Sequence, residues 1–293
     1  MFAALLTTCF FAFAAFAGGR TSRLFGGLNA AFYRSILALG FLLVVMGLGQ
    51  RSWSVPSSAF WWLLASGVIG FGMGDLALYI AFRLIGSRLA VLLCQCLAVP
   101  IALLTEWLWL GTATSTEQLL SITAILVGVC LVLLPRENPG RSVRDLWLGI
   151  PLGVVAAVGQ GLGAVFSRRA YEVFEETTPD VVLVTLIRLA GGFGFLILWW
   201  SVFSKNRSAL TGPQLALGWP WLLTNAMLGP FLGVMAYQYA LAVAPSGPVL
   251  AIVATTPIAI IPLSRFFDGE HITRLALLGS LLACVGVVGL LTR

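Results

Sequence analysis

Charged residues are scarce in this chain. Only 10% of its 293 residues are charged, 59% are hydrophobic, and the mean hydropathy is +1.00. A chain with so little polar surface is unable to cover its apolar surface in water. This composition excludes a soluble globular protein and predicts an all-α membrane protein with no separate soluble domain.

Side chains that bind metals or perform catalysis are also few. The single histidine, His271, lies beside Glu270 with no cysteines or paired carboxylates at ligand spacing around it. All five cysteines lie in apolar segments, and Cys94 and Cys96 point in different directions because they are two residues apart on one helix. No nucleophile elbow, phosphate loop or zinc-protease motif is present. We therefore expect no metal, no resident cofactor and no enzymatic activity.

What the chain does contain is an internal repeat. Residues in the first half recur in the second at an offset of 154 to 159, and each half carries five long apolar segments. Because five is odd, the second copy must enter the membrane from the opposite side. Inverted repeats of this kind are typical of secondary transporters, with the site between the two copies. The matched pairs are Arg34 and Arg188, Gly70 and Gly229, Gly74 and Gly233, Ala81 and Ala240, Pro100 and Pro257, and Gly128 and Gly286.

The apolar segments predict ten transmembrane helices, arranged as two inverted five-helix repeats around a central cavity. The first repeat covers residues 1–134, a charged linker covers 135–145, and the second repeat covers 146–293. The predicted spans of the first repeat are Phe2–Ala17, Asn29–Gly47, Ala59–Phe82, Leu89–Leu110 and Gln118–Leu134. Those of the second are Leu146–Phe166, Val181–Phe203, Leu217–Val243, Val249–Phe267 and Arg274–Leu291.

The basic residues indicate how the chain is oriented. The net charge is +6, and the basic residues are scattered among the predicted connections with no basic cluster interleaved with aromatics. We therefore expect no nucleic-acid partner. Four basic residues lie on one side: Arg51, Arg168, Arg169 and Arg293. Eleven lie on the other: Arg20, Arg23, Arg83, Arg88, Arg136, Arg141, Arg144, Lys205, Arg207, Arg265 and Arg274. The positive-inside rule places this richer side in the cytoplasm and both termini outside.

A few charged groups fall inside the predicted spans, where each costs about 2.5 to 3.5 kcal/mol unless it has a partner or a wet cavity. Arg34 and Asp75 have similar predicted depth on the same side of the membrane, so they are candidates for a structural ion pair. Alternatively, Asp75 exchanges protons or meets a cationic substrate. Glu106 lies less deeply.

Arg188 has no such carboxylate, because the repeat places Val234 where Asp75 stands in the first copy. One interpretation is that this arginine bonds to backbone carbonyls or reaches toward Asp180. The other is that it faces the cavity and attracts an anionic group of the substrate.

Uncharged polar residues are candidates for the cavity wall. Gln95 precedes Pro100, and Thr255 and Thr256 directly precede Pro257, so both copies combine hydrogen-bonding groups with a predicted helix break. Such residues also bond across helices without binding any ligand. The glycine pairs Gly70/Gly74, Gly229/Gly233 and Gly159/Gly163 indicate close helix packing more often than ligand contact. Further candidates for the cavity wall are Tyr79, Gln160, Asn225, Tyr237 and Gln238.

Two stretches resemble the third-to-fourth and eighth-to-ninth helix regions of EamA-type transporters in the drug/metabolite transporter superfamily. They are ALYIAFRLIGSRLAVLLCQCLAVPIALLTEWLWLG and AYQYALAVAPSGPVLAIVATTPIAIIPLSRFFDGE. Arg34 and Arg188 also lie where that family often has an arginine. The resemblance implies a ten-helix exporter or exchanger of amino acids, drugs or other metabolites in the plasma or inner membrane. It leaves open a monomer or a homodimer, proton coupling, and a non-transporting sensor or assembly subunit built on the same fold.

The chain departs from the family pattern in two respects. Family members often have a glutamate just after the fourth and ninth helices. Glu270 keeps it in the second copy, whereas Thr112 stands there in the first. The resemblance also implies cytoplasmic termini, whereas the arginine distribution predicts external ones. The direction of transport therefore stays open.

Overall fold

The computed structural model describes residues 1–49, 53–133, 142–174, 180–203, 212–268 and 274–291. Within these ranges every regular element is a helix, as expected in lipid, where a helix satisfies its own backbone hydrogen bonds. Several predicted features lie outside the described residues: linker residues 135–141, Glu270, His271, Arg51, Arg136, Arg141, Lys205, Arg207 and Arg293.

The helices coincide with the predicted segments, but several are longer. In the first copy they are α1 (Phe2–Phe25), α2 (Gly27–Leu48), α3 (Ser57–Ser87), α4 (Leu89–Leu110) and α5 (Thr116–Leu133). In the second copy they are α6 (Val143–Glu172), α7 (Val181–Phe203), α8 (Pro213–Val243), α9 (Ser246–Val253 and Thr256–Asp268) and α10 (Arg274–Leu291). The helix α9 is thus in two pieces. The helix α1 ends at Phe25 and not at Ala17, and α6 ends at Glu172 and not at Phe166.

Eight of these helices are long and apolar enough to cross a membrane, counting only the part of the chain that the structure describes. In the other two, α5 and α10, the apolar stretches are shorter. These two pack on each other through repeat-related glycines. A side chain at Gly128 would meet the Gly279 carbonyl oxygen at 2.5 Å, and one at Gly286 would meet the Ser121 carbonyl oxygen at 2.6 Å.

Both copies widen into a π-helical turn at the same place. In α3 this turn is Val68–Gly74, and in α8 it is Met227–Phe231. The turns contain the repeat-related pair Gly70 and Gly229. A π-turn shifts the register of the helix that follows it and is frequent at functional sites. Both turns border the central cavity described below.

The boundary between α3 and α4 depends on one glycine. Gly86 has a φ of 78°, in the region that disfavours residues with a side chain. The backbone turns there, so the long apolar stretch becomes two spans. A second glycine, Gly26, has a φ of 80° and separates α1 from α2.

The predicted break at Pro100 is wrong, because α4 continues through this residue. The break before Pro257 is present, since the first piece of α9 ends at Val253 and the second begins at Thr256. The difference lies in the preceding residues. The hydroxyls of the threonines before Pro257 donate to carbonyls of the first piece of α9, whereas the equivalent positions before Pro100 are Ala98 and Val99.

Candidate functional site

A central cavity lies between the two copies, with walls from α1 to α4 and α6 to α9. Its volume, counted as the space open to the centre of a water molecule, is about 80 Å³. One water needs roughly 10–15 Å³ on this measure, so there is room for several waters or a small solute. Seven of the ten predicted cavity candidates line it: Asp75, Tyr79, Gln95, Gln160, Arg188, Tyr237 and Thr256.

Arg34 and Asp75 form a buried salt bridge in this wall, between α2 and α3. The Arg34 side chain is 6% exposed, whereas the Asp75 side chain is 20% exposed, so the carboxylate is the more accessible partner. The two residues that the sequence placed at similar depth are therefore in contact.

Two residues, Tyr79 and Asn225, complete the surroundings of Arg34. Its guanidinium lies 4.5 Å from the centre of the Tyr79 ring, and its Nη1 lies 3.5 Å from Asn225 Oδ1. The Tyr79 hydroxyl donates to the same Asn225 oxygen at 2.8 Å. Asn225 is fully buried and is absent from the cavity lining. It therefore supports the site from behind.

Arg188 is buried without a carboxylate within salt-bridge distance among the described residues. Its predicted partner Asp180 instead accepts a hydrogen bond from the Val182 amide at the start of α7. The side-chain amide of Gln238 lies against Arg188. Because a guanidinium only donates, the atom facing it must be the amide oxygen, which accepts from Arg188 Nε at 3.1 Å. The amide nitrogen then donates to the Tyr171 hydroxyl at 3.1 Å.

The two arginine sites are related by the repeat. Tyr79 beside Arg34 and Gln238 beside Arg188 are separated by 159 residues, which is within the repeat offset. Each guanidinium also approaches a glycine of the other copy. A side chain at Gly229 would lie 3.2 Å from Arg34 Nη1, and one at Gly70 would lie 3.2 Å from Arg188 Nη2. These two glycines therefore leave room for the arginines, a role that their spacing alone did not indicate.

The remaining polar candidates differ in position. Gln160 Nε2 donates to Gln95 Oε1 across the cavity wall at 3.4 Å. The Thr255 and Thr256 hydroxyls bind backbone carbonyls at the break in α9, and Thr255 is absent from the lining. The Tyr237 hydroxyl is buried with no hydrogen-bond partner among the described residues. Gln238, like Asn225, lies behind the lining.

Sequence reasoning missed the apolar part of the wall. It includes the side chains of Phe11, Phe71, Phe82 and Pro230. Phe71 contacts the arginine directly, with the Arg188 guanidinium 5.2 Å from its ring centre. No sequence signal distinguishes these residues from the other 16 phenylalanines and 12 prolines in apolar segments and connections, because periodicity shows which residues are apolar and not which face a cavity. Within the described ranges, no group of three metal-ligating side chains is present.

Comparisons with known proteins address the fold and the family. One crystal structure superposes with a TM-score of 0.72 over 98% of this chain and 93% of its own, at 16% sequence identity. At that identity the likeness shows the fold alone. None of the curated proteins compared with this chain matches it. Residues 1–134 and 147–292 match the EamA-like transporter family, once for each copy of the repeat. The chain is therefore a multi-pass membrane protein that belongs to the EamA-like transporter family.

Proposed function

We propose that this protein is a secondary active transporter that exports or exchanges small metabolites by alternating access. One observation carries the proposal. The central cavity is lined by both copies, and each copy contributes a buried arginine and a π-turn at repeat-related positions. Two similar bundles around one polar cavity suit a rocking mechanism, because the site can face either side without being rebuilt.

The proposal includes ten membrane spans, with α5 and α10 as the two shorter ones. Their mutual packing supports a role in joining the ends of the two copies, away from the cavity. We also propose that the halves superpose after a half-turn about an axis in the membrane plane. This relation would bring Pro100 and Pro257 to equivalent positions although only the second interrupts its helix.

Transport is tested with the purified protein in sealed liposomes. Uptake of a panel of radiolabelled amino acids, purines and organic cations is measured with and without a pH gradient. At least one class should accumulate above empty liposomes. A useful variant is Gly70→Leu, which would fill the cavity beside Arg188, with Gly40→Leu as its control because a side chain at Gly40 meets nothing within 4 Å. No flux for any class with folded protein contradicts the proposal. Flux that persists in Gly70→Leu contradicts the central cavity as the transport path.

A further inference from the structure

The charges of the cavity wall do not balance. Among the described lining residues there are two arginines, Arg34 and Arg188, and one carboxylate, Asp75, which leaves a net charge of +1. Asp75 is already paired with Arg34. The unmatched positive charge is therefore that of Arg188, which is only 4% exposed. A buried charge without a counter-ion is costly, so this wall favours a ligand that brings one negative charge.

The donors around Arg188 are arranged so that some are free for a ligand. Gln238 occupies Nε and Nη1 of the guanidinium. The remaining nitrogen, Nη2, lies beside Gly70 and Gly163, where no side chain intervenes. Nη2 is therefore free to donate a charge-assisted hydrogen bond to a carboxylate oxygen.

Tyr237 is a second and independent observation. Tyr237 is 2% exposed and lines the cavity. Its hydroxyl has no hydrogen-bond partner among the described residues. The Arg188 guanidinium lies 6.0 Å from the centre of this ring. A buried hydroxyl without a partner costs free energy that a bound acceptor would recover. Tyr237 therefore carries an unoccupied donor, and its ring lies near Arg188.

The rest of the wall indicates the body of the ligand. Phe11, Phe71 and Phe82 contribute aromatic surface, and Leu78 and Pro230 add aliphatic surface. Such a wall favours an apolar or aromatic group attached to the anionic one. Gln95 on α4 and Gln160 on α6 add neutral polar groups to the same wall.

We propose that the cavity binds organic solutes through a carboxylate, with Arg188 and the Tyr237 hydroxyl as its donors and the phenylalanines against an apolar body. This inference rests on the proposed function and specifies the class of substrate. The same chemistry is offered by a simple monocarboxylate and by an amino acid. The experiment therefore includes both.

Binding is measured on detergent-purified protein through the shift of the thermal unfolding midpoint. The probes are phenylacetate, its neutral analogue phenylacetamide, the cation phenethylamine, and the zwitterion phenylalanine. We expect phenylacetate to stabilise the protein and phenylacetamide to require at least about tenfold higher concentration, because a hydrogen bond to a charged group is worth roughly one factor of ten or more in affinity. Phenylalanine binding more tightly than phenylacetate would identify an amino acid, and the reverse would identify a monocarboxylate.

Variants test the two donors separately. Arg188→Gln and Tyr237→Phe should each weaken phenylacetate binding by about tenfold or more and weaken phenylacetamide binding less, because the amide oxygen accepts from the same donors but carries no charge. The controls are Arg169→Gln, whose side chain is 45% exposed, and Tyr239→Phe, whose residue is 54% exposed. If Arg188→Gln does not fold, Tyr237→Phe still tests the site, because it removes one oxygen only.

Two results would overturn the inference: equal stabilisation by phenylacetate and phenylacetamide, or unchanged phenylacetate binding in every variant that folds. Flux of cations or neutral solutes alone would also reject it and would leave the proposed transporter intact. Conversely, carboxylate binding that depends on Arg188 without any flux would support the inference about the site and reject transport.

Discussion

Glu106 of α4 accepts hydrogen bonds from both the backbone amide and the hydroxyl of Ser246, at the start of α9. The amide nitrogen lies 2.9 Å from Glu106 Oε2, and the glutamate is only 2% exposed. Arg168 of α6 approaches the other carboxylate oxygen at 3.9 Å. The carboxylate thus lies at a helix N-terminus, where the exposed amides favour negative charge. Because α4 belongs to the first copy and α9 to the second, this contact joins the two copies.

Replacing Glu106 should destabilise the protein. Glu106→Ala leaves the Ser246 amide and hydroxyl buried without an acceptor, so we expect a loss of about 1.5 to 3 kcal/mol in the free energy of unfolding. Thermal unfolding in detergent, followed by size-exclusion chromatography, gives the comparison. Glu172→Gln is the control, because it removes a carboxylate from a largely exposed pair with Arg169 and should change little. Equal midpoints for the two variants would contradict this account.

The close contact of α3 and α6 is a second testable feature. A Cβ at Gly159 would lie 2.7 Å from the Gly74 Cα and 2.8 Å from the Ile69 carbonyl oxygen, both of which are backbone atoms. Gly159→Ala should therefore separate the helices and destabilise the protein by about 1 to 3 kcal/mol. At Gly40 a Cβ meets nothing within 4 Å, so Gly40→Ala should be neutral or slightly stabilising. The thermal midpoint should fall for the first variant alone.

The sequence predicted the arginine sites because it carries two kinds of information about them. The rise per residue of a helix gives Arg34 and Asp75 similar depths in the membrane. Because an ionised side chain in lipid is costly without a partner, two opposite charges at one depth are expected to pair. The repeat offset, in turn, identified Arg188 as the arginine without a carboxylate. These inferences need only positions along helices.

The rest depends on which helix faces reach each other. Gln238 and Arg188 are 50 residues apart, and nothing in their spacing indicates that the amide binds the guanidinium. The π-turns were equally unpredictable, since they arise where packing shifts a helix against its neighbours. The repeat-related prolines show the limit of prediction from motifs. The helix is interrupted before Pro257 in the second copy but continues through Pro100 in the first. There the outcome depends on whether the preceding side chains can donate to the freed carbonyls.

The orientation in the membrane is predicted by the arginine distribution. The eleven basic residues of the richer side belong to the predicted connections opposite to the termini, with Arg20 and Arg23 in the last turns of α1, so both termini should be outside the cytoplasm. A fluorescent reporter that matures only in the cytoplasm, fused after Arg293, should stay dark. A periplasmic phosphatase at the same position should be active in a bacterial host. Bright cells would instead support the orientation that the family resemblance implies.

The Arg34–Asp75 pair allows a structural role to be separated from proton coupling. If the pair is structural, Asp75→Asn strands a buried guanidinium that is 6% exposed, which should cost about 3 to 5 kcal/mol and lower the yield of folded protein.

Arg34→Gln combined with Asp75→Asn removes both charges, so the double variant should recover most of that yield. A coupling role predicts otherwise: Asp75→Asn would fold normally, and its flux in liposomes would no longer respond to a pH gradient. We favour the structural role, because the repeat has Val234 in place of a second carboxylate and a symmetric rocking motion does not require one. Proton coupling requires a carboxylate that reaches water, and the 20% exposure of the Asp75 side chain satisfies this requirement. If Asp75→Asn folds normally and its flux no longer depends on the pH gradient, Asp75 has the coupling role.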